Sequence, residues 1–223
     1  MSLPNVFPIM ALGLAVALAI SPATAATVAT AEKFSGSESV QIAEVNGLAV
    51  VGAFYDTLLA TMKEGPALKF VGRFTRLTPA VNQAFDMNSM TRIASGAQWS
   101  SISPVDRARL VEVFTRFSIS NYASNFDSFD GEKFEILREV AAPGGGVGSV
   151  IVETQLILKS GKTHRLGYLL RPSQDGLRII DVIYGGISEL AARRSEFASV
   201  LNTGGANALY EQLELKTREL GDK

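Results

Sequence analysis

At Asp130-Gly131 the spacing of apolar residues along this chain changes from three-and-four to two. A helix repeats every 3.6 residues and a strand every two, so the chain before this point folds as helices and the chain after it as sheet. Phe134, Ile136 and Val140 alternate with charge. Val150, Val152, Thr154, Leu156 and Leu158 alternate with Glu153, Gln155 and Lys159. Leu166, Tyr168 and Leu170 form one face of a third run, and Leu177 to Tyr184 is a fourth, apolar on both sides. Pro143-Gly144-Gly145-Gly146, Ser160-Gly161 and Asp175-Gly176 are the turns between them. Short glycine-containing links between alternating runs predict an antiparallel meander of four strands. Gly185-Gly186 is expected to close the sheet.

Before the boundary, Val45, Leu48, Val51, Tyr55, Leu58 and Met62 predict a helix over 40–63, ended by Gly65-Pro66. Thr78-Pro79 is read as an N-cap with proline at the first helical position, opening a short helix. Asp86 precedes another that ends near Gly96, and Ser103-Pro104 opens a longer one running to about Phe126. After the sheet, two helices are expected at about 187–202 and 205–219, parted by Gly204-Gly205. Strands segregated from helices give the α+β class, a four-stranded antiparallel sheet with helices over one face and solvent on the other. With 47% hydrophobic residues in 223, the chain builds a substantial core. Its helices carry more apolar surface than a two-layer core requires, which permits a cavity between the layers.

The N-terminus has a different purpose. Residues 9–20 are an unbroken apolar run of 12, shorter than the roughly 20 residues of a membrane span. Ser21-Pro22 and Ala23-Thr24-Ala25 follow, an A-x-A pattern that places signal-peptidase cleavage after Ala25, although the first ten residues contain no Lys or Arg. The reading is a signal peptide over 1–25, a flexible leader over 26–44, and one domain over 45–220. Export of a cysteine-free chain suits a bacterial periplasm.

Composition removes most chemistries. Lys and Arg number 21 against 22 Asp and Glu, so no basic nucleic-acid footprint is expected, and no polybasic run marks a membrane anchor. The absence of cysteine excludes thiol nucleophiles and cysteine zinc sites, and one histidine, His164, leaves no histidine-rich metal site. No phosphate-loop, zinc-protease or nucleophile-elbow motif occurs. The GGGVG run at 144–148 lies between strands and reads as a hairpin loop, and His164 as a surface or strand-end residue. No catalytic residue, metal or cofactor is expected. Arg194 falls on the apolar stripe Ile187, Leu190, Phe197, Leu201; a buried cation needs a partner, and Asp181 in the preceding strand is the expected one.

The stretches DVIYGGISELAARRSEFASVL (181–201) and GGANALYEQLELK (204–216) resemble the toluene-tolerance family, whose members include the periplasmic phospholipid-binding components of the Mla transport system. AFDMNSMTRIASGAQW (84–99) and YASNFDSFDGEKFEI (122–136) resemble the same family, so the likeness covers about 45–216. RFTRLTPAVNQAFD (73–86) and ISELAARRSEF (187–197) look closest to its hopanoid-biosynthesis-associated branch, HpnM. One departure is Leu177 after Asp175-Gly176, where the family usually has an aromatic.

The resemblance implies a sheet and flanking helices around a deep apolar cavity, related to the NTF2-like or cystatin-like shape. From periodicity alone the aromatics belong to the core; the resemblance turns them toward a lipid-lined cavity. The residues expected to line it are Phe54, Leu58, Phe114, Phe117, Val152, Leu156, Leu166, Tyr168, Leu170 and Val182. It further implies a monomeric carrier of phospholipid or hopanoid between an inner-membrane ABC complex and an outer-membrane acceptor. Gly65-Pro66, Gly185-Gly186 and Gly204-Gly205 are candidate hinges for opening. Two other readings stay open: an enzyme on the same fold using Asp181 and Tyr168, and an adaptor that binds no lipid.

Overall fold

The computed structural model describes residues 46–222. The expected signal peptide, the leader and the first turns of the first helix lie outside the described residues.

The first helix, α1 (Gly47–Ala84), begins where the Oδ1 of Asn46 accepts the Ala49 N–H at 2.8 Å. Gly65-Pro66 does not end it. Gly65 is a point of close approach: a Cβ there would lie 2.0 Å from the carbonyl oxygen of Asp127. The break comes at Lys69, with φ 54° and ψ −176°, a region occupied almost only by glycine. There the chain turns back on itself. Ala53 and Ala80 would be about 40 Å apart in a straight helix, yet both border one cleft. Thr78-Pro79 opens no new helix either. It lies inside the returning arm, where the Thr78 hydroxyl donates to the Phe74 carbonyl at 2.8 Å.

One side chain fastens this hairpin. Arg73, buried in the returning arm, donates Nε–H to the Ala123 carbonyl at 2.7 Å and an Nη1–H to the Gly65 carbonyl at 2.9 Å. Glu64 and Arg76 add an exposed pair at 2.9 Å across the arms.

The next elements follow the expected caps. In α2 (Met87–Ser95) the Asp86 carboxylate takes the Ser89 N–H at 2.9 Å, and Gly96 ends the helix at φ 59°. A 3-10 helix (Gly96–Ser101) leads to α3 (Pro104–Asn125), capped by Ser103, with proline in its first turn.

The sheet is a meander in the order β1-β2-β3-β4-β5, every pair antiparallel. Its strands are β1 (Lys133–Ala141), β2 (Val150–Ile157), β3 (Thr163–Ser173), β4 (Gly176–Tyr184) and β5 (Ile187–Ser188). The fifth strand corrects the expected four. Gly185 and Gly186 both have positive φ, 56° and 87°, and make a two-residue hairpin turn instead of ending the sheet. A strand of two residues is too short to leave an alternation in the sequence. β4 is buried on both faces from Ile179 to Val182 because the register slips between Leu169 and Leu170, leaving Ile180 as an extra residue.

The final helix, α4 (Glu189–Gly221), is also a hairpin. It breaks at Gly205 (φ 69°, ψ −166°), as the paired glycines lead one to expect. The Gln212 amide donates to Glu196 at 2.8 Å across a separation that would be about 24 Å in a straight helix.

The expected Asp181–Arg194 pair is not made. The Asp181 carboxylate accepts the Ser188 hydroxyl at 2.5 Å and the Leu190 N–H at 3.1 Å, so it caps the first turn of α4. Arg194 is exposed, its guanidinium lying against Gly96. Its neighbour Arg193 is the inward one, 4.8 Å from the centre of the Phe117 ring and paired with Glu196 at 3.1 Å. The stripe of Leu190, Phe197 and Leu201 is buried as read, but of the two arginines one turn after Leu190 it is Arg193 that meets Phe117.

Two outcomes follow from the α1 hairpin. Lys69→Gly relieves the strained dihedral and stabilises the fold by about 1 kcal/mol, strain relief less the backbone entropy of glycine. Arg73→Met strands two carbonyls and costs about 3 kcal/mol. Urea denaturation of the two variants against wild type measures both.

Candidate functional site: an apolar cleft with a charged rim

The inner face of the sheet is built by register. Val152 stands opposite Tyr168, and Tyr168 opposite Val182; Leu166 faces Thr154, and Leu156 faces His164. Against this face lies the outgoing arm of α1 with Phe54, Tyr55 and Leu58 buried. Tyr55 shares a hydrogen bond of 2.7 Å with the Thr154 hydroxyl and packs on Phe134 and Tyr168, with ring centres at 4.7 and 5.7 Å. Burial pushes the Tyr55 hydroxyl up to about 12 and Tyr168 well above the usual tyrosine range, so both stay neutral hydrogen-bonding groups.

All ten residues expected to line a cavity are buried. The structure sorts them into two groups. Phe54, Leu58, Val152, Leu156, Leu166, Tyr168, Leu170 and Val182 belong to α1 and the strands facing it. Phe114 and Phe117 lie instead between α3 and α4: Phe114 meets Phe197 edge-on at 5.4 Å, and Phe117 carries Arg193.

Phe54 also borders an opening. A cleft of about 340 Å³ runs between the two arms of α1 and the start of β4, walled by Ala49, Val50, Ala53, Phe54, Ala80, Ala84 and Leu177, with Thr57, Gln83, Asp175 and Arg178. Behind Phe54 stand Phe85 and Tyr122, both edge-on, at 5.2 and 5.1 Å. A second cleft of about 410 Å³ lies on the other side of Arg178, bordered by Asn82, Asp86, Thr115, Ser173, Gln174 and Asp175, with Phe85, Met87 and Val111. Both have the size of ligand sites. Arg178 donates to the Asn82 carbonyl at 2.6 Å and to Asp175 at 3.3 Å.

Tyr168 and Asp181, the pair an enzyme would use, point to opposite faces of the sheet, since Tyr168 is in register with Val182 and Asp181 with Leu169. His164 is a strand-end residue, as read from the sequence. Its Nδ1 lies 2.6 Å from the Tyr184 hydroxyl, while its buried Nε2 has no hydrogen-bond partner; burial and then Lys162 hold its pKa below the usual value.

Sequence reasoning missed Arg178, Asp175 and Ala80. Asp175 looked like an ordinary turn residue and Ala80 like part of a separate helix. Arg178 did leave a signal, one of two charges, with Asp181, in a mostly apolar strand.

The family model described as MlaC protein matches residues 53–215. The fold is similar to that of a phospholipid-binding protein from Ralstonia solanacearum, whose structure was solved in complex with a phospholipid. The two have a TM-score of 0.69 and 22% sequence identity, over 79% of this chain and 99% of that one. No curated protein matches the sequence.

Acid behaviour at the start of α4 is testable. Burial raises the pKa of Glu189, Arg193 opposes this, and Asp181 adds to it. The folded state therefore holds the Glu189 proton to higher pH than the unfolded chain does. This carboxyl lowers stability as pH rises through that window. Glu189→Gln raises the melting temperature at pH 7, and the difference from wild type closes as pH falls below the ordinary glutamate range. Calorimetric scans from pH 7 to pH 4 measure it.

Proposed function

The chain belongs to the MlaC protein family, and from that premise we propose that it is a periplasmic lipid carrier rather than an enzyme. The observation that carries this reading is the apolar cleft between the arms of the α1 hairpin, closed behind by Phe54 and its aromatic neighbours and rimmed by Arg178. Each methylene transferred from water to such a wall gains about 0.8 kcal/mol, so an acyl chain is held without a specific polar contact. The phospholipid in the similarly folded Ralstonia protein supports a phospholipid as the occupant here.

The remainder of the proposal concerns the cellular setting. The apolar segment over 9–20 directs export, cleavage follows Ala25, and 45–220 acts as the single lipid-binding domain in the periplasm. The carrier takes lipid between an inner-membrane ABC complex and an outer-membrane acceptor. The likeness of the stretches at 73–86 and 187–197 to the hopanoid-associated branch supports a hopanoid as the second candidate cargo.

Native mass spectrometry of protein purified without detergent, followed by solvent extraction, tests the reading. The expected result is one bound lipid of phospholipid or hopanoid mass, the mass deciding the branch. In Ala80→Trp, a half-buried wall position, lipid occupancy should fall to about a tenth at unchanged melting temperature. A protein that emerges empty and takes up neither lipid when offered both refutes the carrier.

A further inference from the structure

The loop between β1 and β2 carries Val147, the most exposed large apolar side chain among the described residues. A single exposed valine is ordinary on a protein surface. Three features set this one apart.

The first is its surroundings in sequence. Val71 and Val105, the next most exposed, lie within two residues of charged side chains, Lys69 and Arg73 for one, Asp106 and Arg107 for the other. Around Val147 no residue from Val140 to Val152 is charged. The second is how the loop is built. The Ala142 N–H donates to the Ser149 carbonyl at 3.0 Å, the Gly145 N–H to the Ala142 carbonyl at 3.1 Å, and the Ser149 N–H to the Gly146 carbonyl at 3.2 Å. The buried Ser149 hydroxyl donates to the Gly145 carbonyl at 2.7 Å. Gly144, Gly146 and Gly148 have positive φ, so the turns require glycine there, and between Pro143 and Ser149 only Val147 has a side chain. The third is place. A Cβ on Gly148 would lie 2.9 Å from Cγ of Pro172, and Pro172 stands opposite Leu177 of the apolar cleft. Where the loop enters β2, a Cβ on Gly47 would lie 3.1 Å from Val150, and Ala49 of the cleft's facing wall is two residues further on. The loop therefore stands beside the cleft.

A loop that closes its turns with its own hydrogen bonds can enter a medium poor in partners for backbone groups. One without charge meets that medium through apolar burial alone. We infer that the β1–β2 loop is a membrane-contact element, in which Val147 enters the headgroup layer of a lipid bilayer and brings the apolar cleft up to it. A single side chain gives a weak hold, so the contact is brief and reversible. The inference rests on the carrier reading for its purpose; it concerns the surface that the protein visits and not the cargo.

The chain has no cysteine, so Val147→Cys and, as a control at the start of α3, Val105→Cys each offer one thiol for a nitrobenzoxadiazole dye. Full-length labelled protein is mixed with vesicles of dioleoyl phosphatidylcholine, with and without added dioleoyl phosphatidylglycerol. The dye at 147 is expected to brighten by about twofold or more on both vesicles and at high salt, while the dye at 105 stays unchanged. Unlabelled Val147→Asp keeps the wild-type melting temperature and content of bound lipid, because the side chain is fully exposed. It moves a fluorescent phospholipid between vesicles about tenfold more slowly than wild type, and Val147→Leu does not. A dye at 147 that responds to neither vesicle overturns the inference. So does an equal response at 105, or a transfer rate in Val147→Asp equal to that of a transferring wild type. A response confined to vesicles made from the cell envelope, and lost when these are treated with protease, overturns the bilayer as occupant and gives the loop to a protein partner. If the dye at 147 responds but wild type moves no lipid, the membrane contact stands and the carrier reading fails.

Discussion

Where α3 ends, the carbonyl of Ala123 has run out of helical donors, and a helix C-terminus carries the negative end of its dipole. Arg73 brings a buried positive charge to that point and shares it with the carbonyl of Gly65 on the outgoing arm of α1. One guanidinium thus joins three pieces of backbone: both arms of the α1 hairpin and the end of α3. A buried charge without such partners is very costly, so the arrangement admits little play. Gly65 completes it, because only a residue without a side chain lets the Asp127 carbonyl pass so near. The cleft lies at the opposite, open end of the same hairpin, between residues 49–57 and 80–84. The clamp at the closed end therefore sets how far apart the arms stand at the site.

The sheet supplies the second wall by plain alternation. A meander with tight turns puts every second residue of β2 and β3 on the inner face, and these are the residues buried against α1. Polar groups occur on that face only where they find each other, as Tyr55 and Thr154 do. The outer face of β1 and β2 carries an exposed Arg138–Glu153 pair at 2.8 Å, as expected of a half-solvated sheet. The free edge of β1 is broken by a bulge at Leu137 and lined with charge, which discourages pairing with another chain.

How much of this was legible depends on the range of the interaction. Period and capping are local, so the four long strands, α2, α3 and the break near Gly204-Gly205 can be read from neighbours in sequence. Asp86, Gly96 and Ser103 act as sequence reasoning requires. The α1 hairpin was not legible because its signals are inverted. The proline and glycine that ordinarily end helices lie inside the arms, while the reversal falls on a lysine, held there by tertiary contacts of Arg73 that no short window contains. The same reasoning placed Arg194 inside and Arg193 outside, because the inward turn of Arg193 is set by its contact with Phe117, far away in sequence. For the site, the ten apolar positions are buried, but of them only Phe54 borders either cleft described above. Their division between the sheet face and the α3–α4 interface was not readable, since periodicity shows which face of an element is apolar but not what covers it.

The strain at Lys69 and the absence of strain at Gly205 make the two hairpins unequal. Both residues have nearly the same dihedral angles, but glycine adopts them without steric cost and lysine does not. Strain of this kind persists only where surrounding contacts over-determine the backbone. Around Lys69 those contacts are the Arg73 clamp and the Glu64–Arg76 pair. Of the two hairpins, α1 is the one that borders the cleft and the one whose bend stores energy. Of the three places expected to act as hinges, Gly65 is in close packing and Gly185-Gly186 in a tight turn, while Gly204-Gly205 forms the bend of α4. The strain at Lys69 is thus confined to the clamped end of the α1 hairpin, away from the cleft.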